Sequence, residues 1–250
     1  MSVVFFVALA IAALAMHRRT RARRACVLSV TLVAAIVVTS RAAPAEIRAW
    51  AGHGYLVAGY WIPALLAAGA SGTRFEQWLV KTGRIWGRLT IALPPWLEQL
   101  CELAYLLCYP LVPTAFAVVW MRGGDADVTR FWVAVLAAGF GCYGSLPWLV
   151  SRPPRLRSRS REVRGIARLN TLVLDRMSHR LNTFPSGHVA VSIAAALSLW
   201  PVLPAASAVA AAIAAGVAVG AVTGRYHDAL DVLAGAVVGL VSAAAATLTS

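Results

Sequence analysis

Two histidines carry the chemistry this sequence can offer, and each stands where an apolar run begins. His188 closes the stretch Asn182-Thr183-Phe184-Pro185-Ser186-Gly187-His188, which joins the most basic loop of the chain to an Ala-rich apolar run. A Pro-Ser-Gly turn that opens a helix leaves backbone N–H groups free at the positive end of the helix dipole, a ready anion site. In the first turn of such a helix, His188 can give a proton to that anion or take one from it. His227 lies four residues before Asp231, again at the start of an apolar run. On a helix this spacing lets the carboxylate reach the imidazole and hold one tautomer. Two imidazoles at two helix mouths, one backed by an Asp and both near arginines, point to phosphoryl-transfer chemistry in a membrane setting.

The elements that must position these residues are apolar. The chain has 250 residues, 60% of them hydrophobic and only 13% charged, with a mean hydropathy of +0.71. Soluble domains carry roughly twice that share of charge, so long uncharged runs read as membrane spans. The net charge of +13 would suggest nucleic acid in a soluble protein. Here the arginines lie in loops between apolar runs, which favours anionic lipid, the positive-inside effect or an anionic substrate, and no nucleic acid. Cys26, Cys101, Cys108 and Cys142 fall within apolar runs without metal spacing and read as buried structural thiols.

Residues 2–16 and 26–39 are short apolar runs around a basic turn that holds His17, Arg18, Arg19, Arg21, Arg23 and Arg24. A cleaved signal peptide carries its charge before the apolar core, so the expected structure is a retained helical hairpin over 1–52, linker included. A third run covers Gly54–Ala70, and 72–94, with Lys81, Arg84 and Arg88 among tryptophans, is amphipathic and suits a surface-lying helix. Further spans are expected at Trp96–Trp120 and Phe131–Val150, the latter after a short polar loop, Arg122–Arg130. The last three are expected at Gly187–Trp200, Ala205–Val222 and from about Asp228 onward, giving eight in all. Glu102 lies inside a span, so it either reaches the substrate site or serves as an internal hydrogen-bonding group. His53 and His179 read as structural. Loop 151–181 holds nine arginines, including Arg159, Arg161 and Arg164, against Glu162 and Asp175. Gly216, Gly220 and Gly224, then Gly235 and Gly239, form small-residue rows that let helices approach closely and would bring the two histidine-bearing ends together.

With Pro185-Ser186-Gly187-His188, His227-Asp228-Ala229-Leu230-Asp231 continuing as Val232-Leu233-Ala234-Gly235, and Arg152-Pro153, the sequence resembles the phosphatidic acid phosphatase type 2 superfamily. That family shares its helical core with vanadium haloperoxidases. Its three motifs are KxxxxxxRP, PSGH and SRxxxxxHxxxD, and the resemblance covers roughly residues 54–249. Ser145 stands where the Lys of the first motif would be, and Ala221 where the Arg of the third would be. The strings Ser151-Arg152-Pro153-Pro154-Arg155 and Thr223-Gly224-Arg225-Tyr226-His227 look more like the branch that includes inositol phosphorylceramide synthases. The resemblance implies an all-α polytopic bundle, with a six-helix catalytic core over 53–250 beside the N-terminal hairpin. It also implies His227, oriented by Asp231, as the nucleophile at phosphorus, and His188 as the general acid and base. Arg152, Arg155, Ser186, Gly187 and Arg225 would bind phosphate, with no metal and no cofactor.

Three functions compete. A lipid phosphatase would hydrolyse a phosphatidate-like or polyprenyl phosphate lipid. A phosphotransferase would pass a phospho-headgroup to an alcohol with the same two histidines. A non-catalytic membrane scaffold would fit the missing Lys and displaced Arg. The partners expected are membrane lipids and an anionic phospholipid or isoprenoid phosphate substrate, and the oligomeric state stays open. The setting implied is a bacterial plasma membrane. Positive-inside counting puts the site on the cytoplasmic face and the resemblance favours the outer face, so its side stays open.

Overall fold

The computed structural model describes residues 1–18, 21–67, 73–86, 93–157 and 165–249, and most of these residues are helical. Arg19, Arg88, Arg159, Arg161, Glu162, Arg164 and residues 68–70 of the third run lie outside them. In chain order the helices are α1 (Ser2–Ala15), α2 (Ala22–Ala42), α3 (Ala45–Ala67), α4 (Arg74–Trp86), α5 (Pro95–Arg122) and α6 (Asp125–Tyr143). There follow α7 (Pro154–Arg157), α8 (Ile166–Met177), α9 (Gly187–Ser198), α10 (Pro204–Thr223) and α11 (Ala229–Ala246). The polytopic helical bundle expected from composition is the architecture found.

Of the eight expected spans, α2, α5, α10 and α11 are long and apolar enough to cross a membrane, while α1 and α9 are apolar but shorter. At 1.5 Å per residue the 12 residues of α9 reach only about 18 Å. It is nonetheless the centre of the bundle, packed against α5, α6, α10 and α11. Val189, Ala190, Ala194 and Ala195 on it are fully buried. Small side chains let four neighbours close around one short helix, which therefore needs no lipid contact along most of its surface.

The N-terminal hairpin forms as expected, with α1 against α2. It docks through Phe5, whose ring stacks on Phe140 of α6 at 4.1 Å and 6°. Helix α3 begins at Ala45, earlier than the apolar run, because its first turns serve α6: the Trp132 indole N–H donates to Ala49 O at 2.7 Å. Both expected boundaries of α6 move as well. Helix α6 starts at Asp125 rather than Phe131, because Asp127 accepts the Gly124 amide at 3.0 Å and caps the helix within what looked like a polar loop. It stops at Tyr143, and residues 144–148 form turns instead of completing the span to Val150. Within these turns the Ser145 hydroxyl lies 2.5 Å from Phe184 O and 2.7 Å from Cys142 O, tying the end of α6 to the run before His188.

The Arg-rich loop is likewise not a plain solvated connection. It folds into α7 and α8, and α8 packs its buried Asn170 and Leu174 toward α5. Amphipathic α4 rests against α11 with Leu79 and Glu76 buried. The glycine rows divide their work. Gly216 and Gly220 let α10 approach Ala104 and Cys101 of α5, whereas Gly235 and Gly239 seat α11 on the first turns of α9. Only the second row joins the histidine-bearing ends.

Candidate active site

The site begins where α10 ends. Arg225 takes a left-handed conformation, φ 59°, which turns the chain back so that the amides of Tyr226 and His227 both donate to Ala221 O at 2.9 Å. Ala221 is fully buried, so this position serves the turn and leaves no room for an arginine side chain. Asp228 then caps α11, and Asp231 accepts the Asp228 amide at 3.3 Å. The same Oδ2 lies 3.3 Å from His227 Nδ1. His227 is 4% exposed and Asp231 0%, so the pair sits in a poorly screened setting. With Nδ1–H directed at the carboxylate, Nε2 is left with its lone pair. Asn182 completes the clamp, donating to Tyr226 O at 2.9 Å and lying 3.5 Å from Asp231 Oδ2.

Helix α9 brings His188 to this turn. The Ser186 amide donates to Asp231 O at 2.9 Å, a main-chain stitch between the mouth of α9 and the first turn of α11. A side chain at Gly235 would meet Ser186 O at 2.5 Å, so the stitch forms because that residue has none. The rings of His188 and His227 come to 5.9 Å between centroids, inclined by 63°. The open helix mouth expected from the sequence is partly closed, since the Gly187 amide donates to Thr183 Oγ1 at 3.2 Å. Ser186 Oγ is buried without a hydrogen-bond partner among the described residues. Gly187 itself makes way for the Tyr143 ring, which a Cβ would overlap.

The three expected arginines take different places. Arg152 binds Glu76 of α4 through both ends of its fork, Nε–Oε1 3.0 Å and Nη2–Oε2 3.2 Å, and its amide adds a third bond at 2.9 Å. Such a bidentate pair orients the guanidinium at the buried carboxylate. Arg225 reaches Pro154 O at 3.4 Å, behind the turn it forms. Arg155 lies over the Tyr226 ring at 5.1 Å and lines the cavity. A fourth, Arg157, pairs with Asp228 beside the catalytic candidates.

A cavity of about 390 Å³, counted to its open mouth, collects these groups. His188, His227, Arg155, Asn182 and Thr183 supply its polar wall, and Tyr60, Tyr105, Tyr143 and Tyr226 its aromatic one. Of the residues expected at the site, the structure thus gathers His188, His227, Asp231 and Arg155. Arg152, Arg225, Ser186 and Gly187 lie around it without lining it. Sequence reasoning missed Glu76, Asn182 and Tyr226. Asn182 and Tyr226 each adjoin a motif, but Glu76 is 76 residues from its partner and carries no local signal. His179 stacks on Tyr60 at 4.3 Å and His53 sits among Trp50, Phe116 and Trp132, as structural residues would.

Residues 127–250, which hold all three motif segments, match the model of the PAP2 superfamily. This match points to a phosphatase-type enzyme, hydrolytic or transferring. No curated protein and no solved structure matches the chain significantly.

Proposed function

We propose that this protein is a membrane enzyme of the PAP2 superfamily that removes phosphate from a lipid phosphate through a phosphohistidine. The observation that carries the reading is the meeting of His188 and His227, 5.9 Å apart, on one cavity with Arg155. The Asp231 carboxylate behind His227 Nδ1 supports the division of roles.

His227 Nε2 attacks phosphorus while the bond to the lipid oxygen breaks, and His188, protonated, gives its proton to that oxygen as the lipid alcohol leaves. Asp231 stabilises the positive charge that grows on the His227 ring. His188, now neutral, takes a proton from water, whose oxygen displaces His227 from phosphorus and releases inorganic phosphate. Arg155 faces the charge on the phosphoryl oxygens throughout. Phosphatidate-like and polyprenyl phosphates fit equally, because the reacting group is the same. An alcohol in place of water in the second step turns the same machinery into a phosphotransferase.

The test is a panel of purified lipid phosphates, with and without EDTA, on the wild type, His188→Ala and His227→Ala. Phosphate release without an acceptor, insensitive to EDTA and lost in both variants, is the expected result. Strict dependence on an added alcohol selects transfer instead. Activity that survives in both variants refutes the assigned roles.

A further inference from the structure

Glu102 is a carboxylate inside spanning helix α5, 8% exposed. Burial of such a group needs good partners, and those here are neutral donors. Tyr226 OH donates to Oε2 at 2.7 Å and Asn170 Nδ2 to the same oxygen at 2.6 Å. Asn170 Nδ2 also lies 2.8 Å from Glu102 O, which fixes the cluster to α5. Gly224 lets the turn come this close, since a Cβ there would stand 2.7 Å from Glu102 Oε1.

Tyr226 is therefore held at its hydroxyl end by α5 and at its backbone by Ala221 and Asn182. Two groups pack on its ring. Tyr105 stacks on it at 4.2 Å and 12°, and the Arg155 guanidinium carbon lies 5.1 Å from its centroid. Tyr105 in turn meets the His188 ring at 5.5 Å. Arg155 shows no ion pair among the described residues, and its Nε is buried without a hydrogen-bond partner. The aromatic face, the Arg155 amide bond to Arg225 O at 3.0 Å and the short helix α7 are what locate this cation. A phenol that donates to a carboxylate also has a more electron-rich ring, which strengthens its hold on a guanidinium. Burial and Glu102 both push the Tyr226 phenol up, so it stays a donor across the working pH range.

We propose that Tyr226, pinned by Glu102, is the positioning residue that presents Arg155 to the substrate phosphate. The inference rests on the reading above in taking Arg155 as a phosphate ligand. It assigns a task to the buried Glu102, which lies outside the cavity and takes no part in the chemistry.

The test is a double-variant cycle on the full-length protein in detergent, using Tyr226→Leu, Arg155→Ala and the two combined, with Tyr226→Phe and Glu102→Gln alongside. Two readouts are taken: KM and kcat for a lipid phosphate, and the affinity for inorganic phosphate from its effect on melting temperature, which needs no turnover. Tyr226→Leu is expected to weaken phosphate affinity and raise KM about tenfold, with kcat within about threefold. The combined variant is expected to be no worse than Arg155→Ala alone. Tyr226→Phe and Glu102→Gln keep a ring under Arg155 and should lose about threefold. Losses that multiply in the combined variant overturn the proposal, as does wild-type phosphate affinity in Tyr226→Leu. Should Tyr226→Leu fail to fold, Tyr226→Phe with Arg155→Ala closes the same cycle. A wild type that binds phosphate with this pattern but turns over no lipid phosphate counts against the proposed function alone. Turnover lost in His188→Ala and His227→Ala, but unaffected by Tyr226, counts against this inference alone.

Discussion

Gly235→Ala separates a site built by helix approach from one built by side-chain contacts alone. Gly235 lies one turn beyond Asp231 on α11 and faces Ser186, two residues before His188. An alanine Cβ there would stand 2.5 Å from Ser186 O, 3.1 Å from its N and 3.2 Å from its Cβ. Ordinary contact begins near 3.4 Å, so the two helices must part by up to about 0.9 Å at this level. The two nearest obstructing atoms are main chain and cannot swing away. Overpacking of this kind costs about 1–3 kcal/mol of stability. The same shift stretches the Ser186 amide bond to Asp231 O, now 2.9 Å, and separates the two imidazoles. Misplacement of reacting groups by about 1 Å lowers rate on the order of 100-fold. The assay is phosphate release from a lipid phosphate, run beside thermal unfolding in the same detergent. Gly239→Ala, where Cβ would meet Ala190 O at 2.6 Å, applies equal strain one turn deeper and should match in stability but lose less activity. Gly141→Ala, whose Cβ would find its nearest neighbour at 3.5 Å, should change neither. A Gly235→Ala protein of full activity, or equal activity losses at 235 and 141, would refute the reasoning.

Three further outcomes follow. Asp231→Asn leaves the shape of the His227 site but withdraws the charge behind Nδ1, and turnover should fall on the order of 10³–10⁴ with little change in KM; a loss under tenfold would show that Asp231 serves only as a cap. Arg152→Ala removes the bidentate pairing of the 6%-exposed Glu76 carboxylate and should lower the melting temperature while KM moves less than about threefold, whereas Arg155→Ala should raise KM about tenfold or more; the opposite ranking in KM would return Arg152 to the phosphate. Burial pushes His179, in the turn between α8 and α9, down to about 4 from 6.5. The unfolded chain then binds this proton first, so stability is full above pH 6.5 and falls as pH drops toward 4. His179→Phe, which keeps a ring on Tyr60, should remove that part of the profile in melting curves taken across the range, and superimposable curves would reject the assignment.

The parts of this protein that repeat or lie close in the chain were legible without coordinates. Apolar runs gave the helices, a four-residue spacing gave the His227–Asp231 pair, and Pro185–His188 marked the mouth of α9. Helix ends were less legible where capping overrode polarity, as at Asp125, or where turns followed an apolar helix, as after Tyr143. The arginines were the least legible. Arg152, Arg155 and Arg225 are alike in type; two lie in irregular chain and Arg155 in the four-residue α7, too short for a period to fix the direction of a side chain. Their fates depend on Glu76, Tyr226 and Pro154, each at least 71 residues away from the arginine it meets. Sequence alone determined which groups exist and which helix ends bear them, because those follow from local periodicity. Tertiary packing decided which cation faces the two histidines, because that depends on carboxylates and rings delivered by other helices.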